Sequence, residues 1–187
     1  MKVDLSNFTL SGLDLHNVVY KDGGRAEVPL HLEDTSVQAL ARDVSKGLGG
    51  NLGPLRFASV MVAEPTDAVD QYYHADSDDS LRTNAFVYLT SVEKPEDGAL
   101  DIEATGPVLG PRGTLAHYPA SALHRGLANR SSKARVAIAM AFSESEQAIQ
   151  TIGGGPPTPT NTWWILLIGN GVMFILGLLV NLMNRSR

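Results

Sequence analysis

The chain has 187 residues, a formal net charge of −5 and no cysteine. Its fifteen Lys and Arg are scattered rather than gathered in one stretch, which excludes an electrostatic nucleic-acid binder, and the lack of cysteine excludes disulfides, thiolate metal sites and a thiol nucleophile. With an apolar C-terminal segment set aside, roughly 150 residues remain, enough for one globular domain with one core.

Residues 1–8 are charged and polar where a secretory leader would be apolar, so no N-terminal targeting segment is expected. Val18, Val19 and Tyr20 run into Asp22-Gly23-Gly24, a turn signal that predicts a β-hairpin. From Thr35 the period changes. Val37, Leu40, Ala41, Val44 and Leu48 recur every three or four positions, predicting a helix capped by Thr35 or Ser36 and stopped by Gly47, Gly49 and Gly50. Residues 55–63, 71–74, 84–91, 98–104, 114–118 and 135–142 then read as strands separated by Gly, Pro and Asp. The expected fold class is mainly β, a sandwich or jelly roll with one short helix packed on a sheet.

The expected domain spans residues 1–145. Residues 146–162, with Gly153-Gly154-Gly155-Pro156-Pro157, read as a linker. Residues 163–184 are almost uncharged and long enough to cross a bilayer as a helix, with Trp163 and Trp164 at one interface and a short tail, 185–187, carrying Arg185 and Arg187 at the other. Gly169, Gly171 and Gly177 permit close approach of another membrane helix, so a membrane-complex partner is expected as well as the lipid. The positive-inside rule places the Arg185/Arg187 end in the cytoplasm. Insertion of a single C-terminal span after synthesis instead leaves the domain in the cytosol, and this second argument is preferred because a whole folded domain would otherwise have to cross.

The chemistry-bearing set is His74-x-Asp76, followed fifty residues later by His124 and then by Arg135. Residues two apart in a strand share a face, so His74 and Asp76 converge. Two imidazoles and one carboxylate hold Fe(II) with coordination positions left open. Other constellations lack the required spacing. Asp76-Ser77-Asp78-Asp79 has no EF-hand pattern, and Ser80 and Ser121 have no nucleophile elbow. His16 and His31 read as surface residues, Arg82 as an ion-pair partner of Asp78 or Asp79, and Asn129 as a turn residue. His117 alternates with apolar residues in a strand and is placed near the pocket.

Residues 55–143 resemble the Fe(II)- and 2-oxoglutarate-dependent oxygenases, in particular their prolyl 4-hydroxylase-like and phytanoyl-CoA-hydroxylase-like branches. The resemblance runs through Tyr73-His74-Ala75-Asp76, Arg82-Thr83-Asn84-Ala85-Phe86-Val87-Tyr88-Leu89, Gly98-Ala99-Leu100, Gly113-Thr114-Leu115, His124-Arg125-Gly126, Asn129-Arg130-Ser131 and the run from Arg135 to Phe142. It implies a double-stranded β-helix with His74, Asp76 and His124 as catalytic iron ligands. It also implies 2-oxoglutarate as cosubstrate, its distal carboxylate clamped by Arg135 and hydrogen-bonded by Tyr88, with ascorbate as an accompanying reductant. The planar guanidinium fork suits that clamp.

The implied reaction couples oxidative decarboxylation of the 2-oxo acid to hydroxylation of a C–H bond in a prolyl or other protein side chain, or in a small or lipid-like molecule. The chain departs from the family in brevity, with little material before His74 or between Gly98 and Gly113 to form a substrate lid. A catalytically silent accessory subunit of a membrane complex is the alternative from another class, and a cupin-like metal enzyme that uses no 2-oxoglutarate is a third.

Overall fold

A computed structural model of the chain describes residues 1–21, 24–65 and 69–145. Its elements are β1 (Val19–Lys21), β2 (Arg25–Pro29), α1 (Thr35–Gly47), β3 (Leu55–Ala63), β4 (Arg82–Tyr88), β5 (Leu100–Ile102), β6 (Gly106–Pro107), β7 (Leu115–Pro119), β8 (His124–Gly126) and β9 (Arg135–Ser143). A six-stranded sheet has the order β1-β2-β3-β9-β4-β7 and a three-stranded sheet the order β6-β5-β8. All of these pairings are antiparallel. An isolated bridge between His74 and His124 adds a further segment beside β8. From β3 onward the chain therefore alternates between the sheets, leaving β3 for the His74 segment, returning in β4, crossing to β5 and β6, and repeating through β7, β8 and β9. This is the winding of a jelly roll.

The registers sort the side chains. Ser59 pairs with Ala139, and Ala139 with Phe86, so all three lie on one face of the large sheet. That face also carries Phe57, Tyr88, Ala116, Tyr118, Ala137 and Ala141, and it packs toward Leu100 and Ile102 of the small sheet. The opposite face presents Val28, Val60, Val62, Val87, Val136, Ile138 and Met140 to Val37, Leu40, Ala41 and Val44 of α1. Burial on both sides explains the continuous apolar run from Val136 to Phe142 in β9, all nine of whose residues are buried.

The helix forms where its period predicted, but its cap is Asp34 rather than Thr35 or Ser36. Asp34 lies in extended backbone and its carboxylate accepts from the amides of Ser36 and Val37. It also accepts from the Ser11 hydroxyl, so the capping residue ties α1 to the N-terminal segment. Gly47 belongs to the helix, and the chain departs beyond it through Gly49 and Gly50, both at positive φ.

The expected hairpin is the β1–β2 pair, with Val19 opposite Glu27; its turn residues 22 and 23 lie outside the described residues. The expected strand at 71–74 is reduced to the single His74 bridge, β4 starts at Arg82 and ends at Tyr88, and β5 is shorter than predicted. The linker, membrane helix and basic tail expected at 146–187 fall outside the described residues. Among the described residues no helix is long and apolar enough to cross a membrane.

Loss of the cap should loosen α1 from the sheet. Asp34→Ala is expected to lower stability by about 1–2 kcal/mol, measured by urea unfolding.

Candidate metal centre

His74 and His124 are directly opposite one another on adjacent antiparallel segments. Each amide donates to the other's carbonyl at 3.0 Å, so both side chains leave the same face and their ring centroids lie 4.7 Å apart. Asp76, two residues after His74, falls beside them, anchored by its own amide donating to Ala120 O at 2.9 Å. One ligand atom from each of the three lies within 4.8 Å of the others.

The backbone also sets the tautomers. Nδ1 of His74 lies 2.9 Å from Tyr72 O, and Nδ1 of His124 lies 2.9 Å from Ala122 O. A carbonyl only accepts, so each Nδ1 carries a proton and the lone pair of the neutral ring sits on Nε2. His74 Nε2 is buried with no hydrogen-bond partner, lying 3.9 Å from Asp76 Oδ1, while His124 Nε2 is 3.5 Å from Oδ2. Burial lowers the His124 pKa against the opposing pull of Asp76, which favours the neutral, ligating ring. An orphaned imidazole nitrogen, two fixed lone pairs and a fully buried carboxylate suit a first-row divalent cation. Ligation at about 2.1 Å asks the three groups only to draw closer.

Behind the triad, Asn84 Nδ2 donates to Asp76 Oδ2 at 2.5 Å, and Arg82 Nε donates to Asn84 Oδ1 at 3.2 Å. The hydroxyl of Tyr118 engages the Asn84 side chain, and its ring packs on His124 at 4.7 Å between centroids. Burial, with the charge of Asp76, raises the Tyr118 phenol pKa and keeps it protonated.

Arg135 opens β9 on the interior face, opposite Ala63. Its Nε donates to Gly98 O at 3.0 Å and its guanidinium carbon lies 5.3 Å from the Phe86 ring centroid. Nη1 is buried without a hydrogen-bond partner. Burial lowers the guanidinium pKa to about 10, so it stays charged at neutral pH. Phe86 is two residues from Asn84 on the same face of β4. The cation and the triad are thus directed into one interior, lined on β9 by the small side chains of Ala137, Ala139 and Ala141.

Tyr88 bridges to backbone groups of the second sheet's side. Its hydroxyl donates to Val108 O and accepts from Leu100 N, both at 2.9 Å. The proton expected to serve a cosubstrate carboxylate is thus engaged with the backbone, and Tyr88 joins the two sheets. His117 is exposed on the side of β7 opposite Tyr118, away from the interior, because its place in the strand has the other parity. Arg82 is buried and bonded to Asn84 rather than to Asp78 or Asp79. Asn129 does shape a turn, bonding Ser131, Lys133 and Ala63. Sequence reasoning passed over Asn84, Tyr118 and Arg25, whose Nη2 donates to Val69 O and Gly126 O beside the two ligand segments. The available signal for Asn84 was its parity with Arg82 and Tyr88 in one strand.

No protein-family model matches the chain, and no curated protein matches it. Solved structures do match in fold. EvdMO1 superposes with a TM-score of 0.54 at 16% identity, over 67% of this chain and 38% of its own. SnoN, a non-heme alpha ketoglutarate dependent epimerase from nogalamycin biosynthesis, gives 0.57 at 18% identity over 77% and 74% of the two chains. HygX from Streptomyces hygroscopicus, solved with nickel and 2-oxoglutarate bound, gives 0.54 at 14% identity over 72% and 77%. The chain thus spans about three-quarters of SnoN and HygX but well under half of EvdMO1, and it shares their fold.

Two substitutions separate the roles assigned above. Asp76→Ala is expected to weaken Mn(II) binding by more than the roughly 10–100-fold typical of outer-shell changes, measured by calorimetry. Tyr88→Phe is expected to cost about 1–3 kcal/mol of stability, because a backbone group loses its buried partner, while 2-oxoglutarate affinity stays unchanged.

Proposed function

We propose that the protein is an Fe(II)- and 2-oxoglutarate-dependent dioxygenase that hydroxylates a small molecule. The observation that carries this reading is the pairing, in one interior, of a His-Asp-His set with fixed Nε2 lone pairs and a buried guanidinium whose Nη1 has no hydrogen-bond partner. A structural jelly roll gains nothing from either feature, since an orphaned buried donor costs about 1–3 kcal/mol. This weighs against the accessory-subunit alternative.

His74, Asp76 and His124 would hold the iron, which supplies the coupling of dioxygen reduction to oxidative decarboxylation of the 2-oxo acid. Arg135 donates to the distal carboxylate of 2-oxoglutarate through Nη1, its fork kept in place by the bond to Gly98 O. The small side chains of Ala137, Ala139 and Ala141 line β9 between Arg135 and the Asn84 level of the sheet, within an apolar cluster. Burial favours the neutral imidazole at His124, which suits it to metal ligation.

Of the two substrate classes the sequence leaves open, a small molecule is favoured over a prolyl or other protein side chain. SnoN was solved with Fe3+, alpha ketoglutarate and nogalamycin RO, and HygX with hygromycin B. Anchoring by residues 163–184, with the domain on the cytosolic side, is part of the same proposal and rests on the uncharged run between Trp163 and Arg185.

Calorimetric titration of 2-oxoglutarate into the Mn(II)-loaded protein tests the assignment. Wild type should bind only with metal present, and Arg135→Met should bind Mn(II) normally but 2-oxoglutarate about 10–100-fold more weakly, the loss expected for a charge-assisted hydrogen bond. Equal 2-oxoglutarate affinity in the two proteins would remove Arg135 from the site.

A further inference from the structure

Asp76 has two oxygens in the space where a metal would sit, and one of them is already engaged. Oδ2 accepts from Asn84 Nδ2 at 2.5 Å, and the side chain of Asp76 is fully buried. An Asn amide can present either its NH2 or its carbonyl. The choice here is fixed by Arg82, whose Nε donates to Asn84 Oδ1 at 3.2 Å and so turns Nδ2 toward the carboxylate. Arg82 is itself buried, with Nη2 lacking a hydrogen-bond partner. Burying a guanidinium is expensive unless its charge is used, and Asn84 is the side chain it bonds among the described residues. Arg82, Asn84 and Tyr118 lie on the interior face of neighbouring strands, with Asn84 opposite both Ala141 and Tyr118, so the relay sits on the rigid large sheet and not on the loop that carries Asp76.

A carboxylate can bind a cation through one oxygen or two. Two-oxygen binding takes an additional coordination position, which a 2-oxo acid binding through two oxygens and a dioxygen molecule also need. We infer that Asn84, oriented by Arg82, is a positioning residue that holds Asp76 as a one-oxygen ligand and so keeps a coordination position open. This rests on the oxygenase reading above. It assigns to the Arg82–Asn84 pair control over how the cosubstrate binds, separate from the distal clamp at Arg135.

The test uses the full chain loaded with Mn(II) for affinity and with Co(II) for its visible absorption, which reports coordination geometry. Asn84→Leu keeps the volume and removes the amide. It is expected to lower Mn(II) affinity by about 10–100-fold, to change the Co(II) spectrum toward higher coordination number, and to suppress the spectral response to added 2-oxoglutarate. Arg82→Met should move all three readouts in the same direction by less, and Arg82→Lys should restore them, because an ammonium can still donate to Asn84 Oδ1. A folded Asn84→Leu protein with wild-type metal affinity, Co(II) spectrum and 2-oxoglutarate response would overturn the inference. Should that variant fail to fold, Arg82→Lys behaving no better than Arg82→Met overturns it equally. Absence of metal binding in the unsubstituted protein would bring down the oxygenase reading itself, and this inference with it.

Discussion

The centre depends on one short contact, the reciprocal pair of backbone hydrogen bonds between His74 and His124. It is a single bridge, not a strand ladder, yet it decides that two imidazoles fifty residues apart leave the same face. The residues beside the ligands secure it from the outer side. Tyr73 and Arg125, next to His74 and His124, both donate to Asp101 Oδ2, at 2.7 and 2.8 Å, and the Arg125 guanidinium lies over the Tyr73 ring at 4.4 Å. Gln71 accepts from the Gly126 amide and continues the clamp along the same two segments. Alternation does the rest: residues facing out lock the pair together while the residues between them face inward as ligands.

The large sheet answers a different need. β9 must serve two faces, and its sequence divides the work by parity. Val136, Ile138 and Met140 fill the contact with α1, while the smaller Ala137, Ala139 and Ala141 face the interior. A uniformly large set would have crowded the aromatic side chains of the interior face. A uniformly small one would have surrendered the contact with the helix. The buried polar atoms lacking hydrogen-bond partners include Ser59 Oγ, His74 Nε2, Arg82 Nη2 and Arg135 Nη1, each from a segment that faces the interior. Unmet polar groups on an interior face are what a site built to receive a charged molecule requires.

Much of this was legible in the sequence because it rests on local periodicity. The helical spacing from Val37 to Val44, the strand runs at 55–63 and 135–142 and the shared parity of His74 and Asp76 are all properties of neighbouring residues. What escaped was decided across the fold. Asp34 took the place of the expected caps, and its carboxylate is also held by Ser11, more than twenty residues away. Tyr88 looked available until the carbonyl of Val108 and the amide of Leu100 were brought to its hydroxyl by the second sheet. Arg82 looked like a surface partner for the acidic residues preceding it, since nothing local reveals that Asn84 would link it to Asp76.

The central claim is that the triad and Arg135 together bind iron and a 2-oxo acid as one unit. It is tested most directly by visible absorption under anaerobic conditions, because an iron(II)-chelated 2-oxo acid has a charge-transfer band that neither component shows alone. The account predicts a band that requires protein, Fe(II) and 2-oxoglutarate together and is absent in His124→Ala. A folded wild-type protein that shows no band at saturating concentrations of both would contradict it.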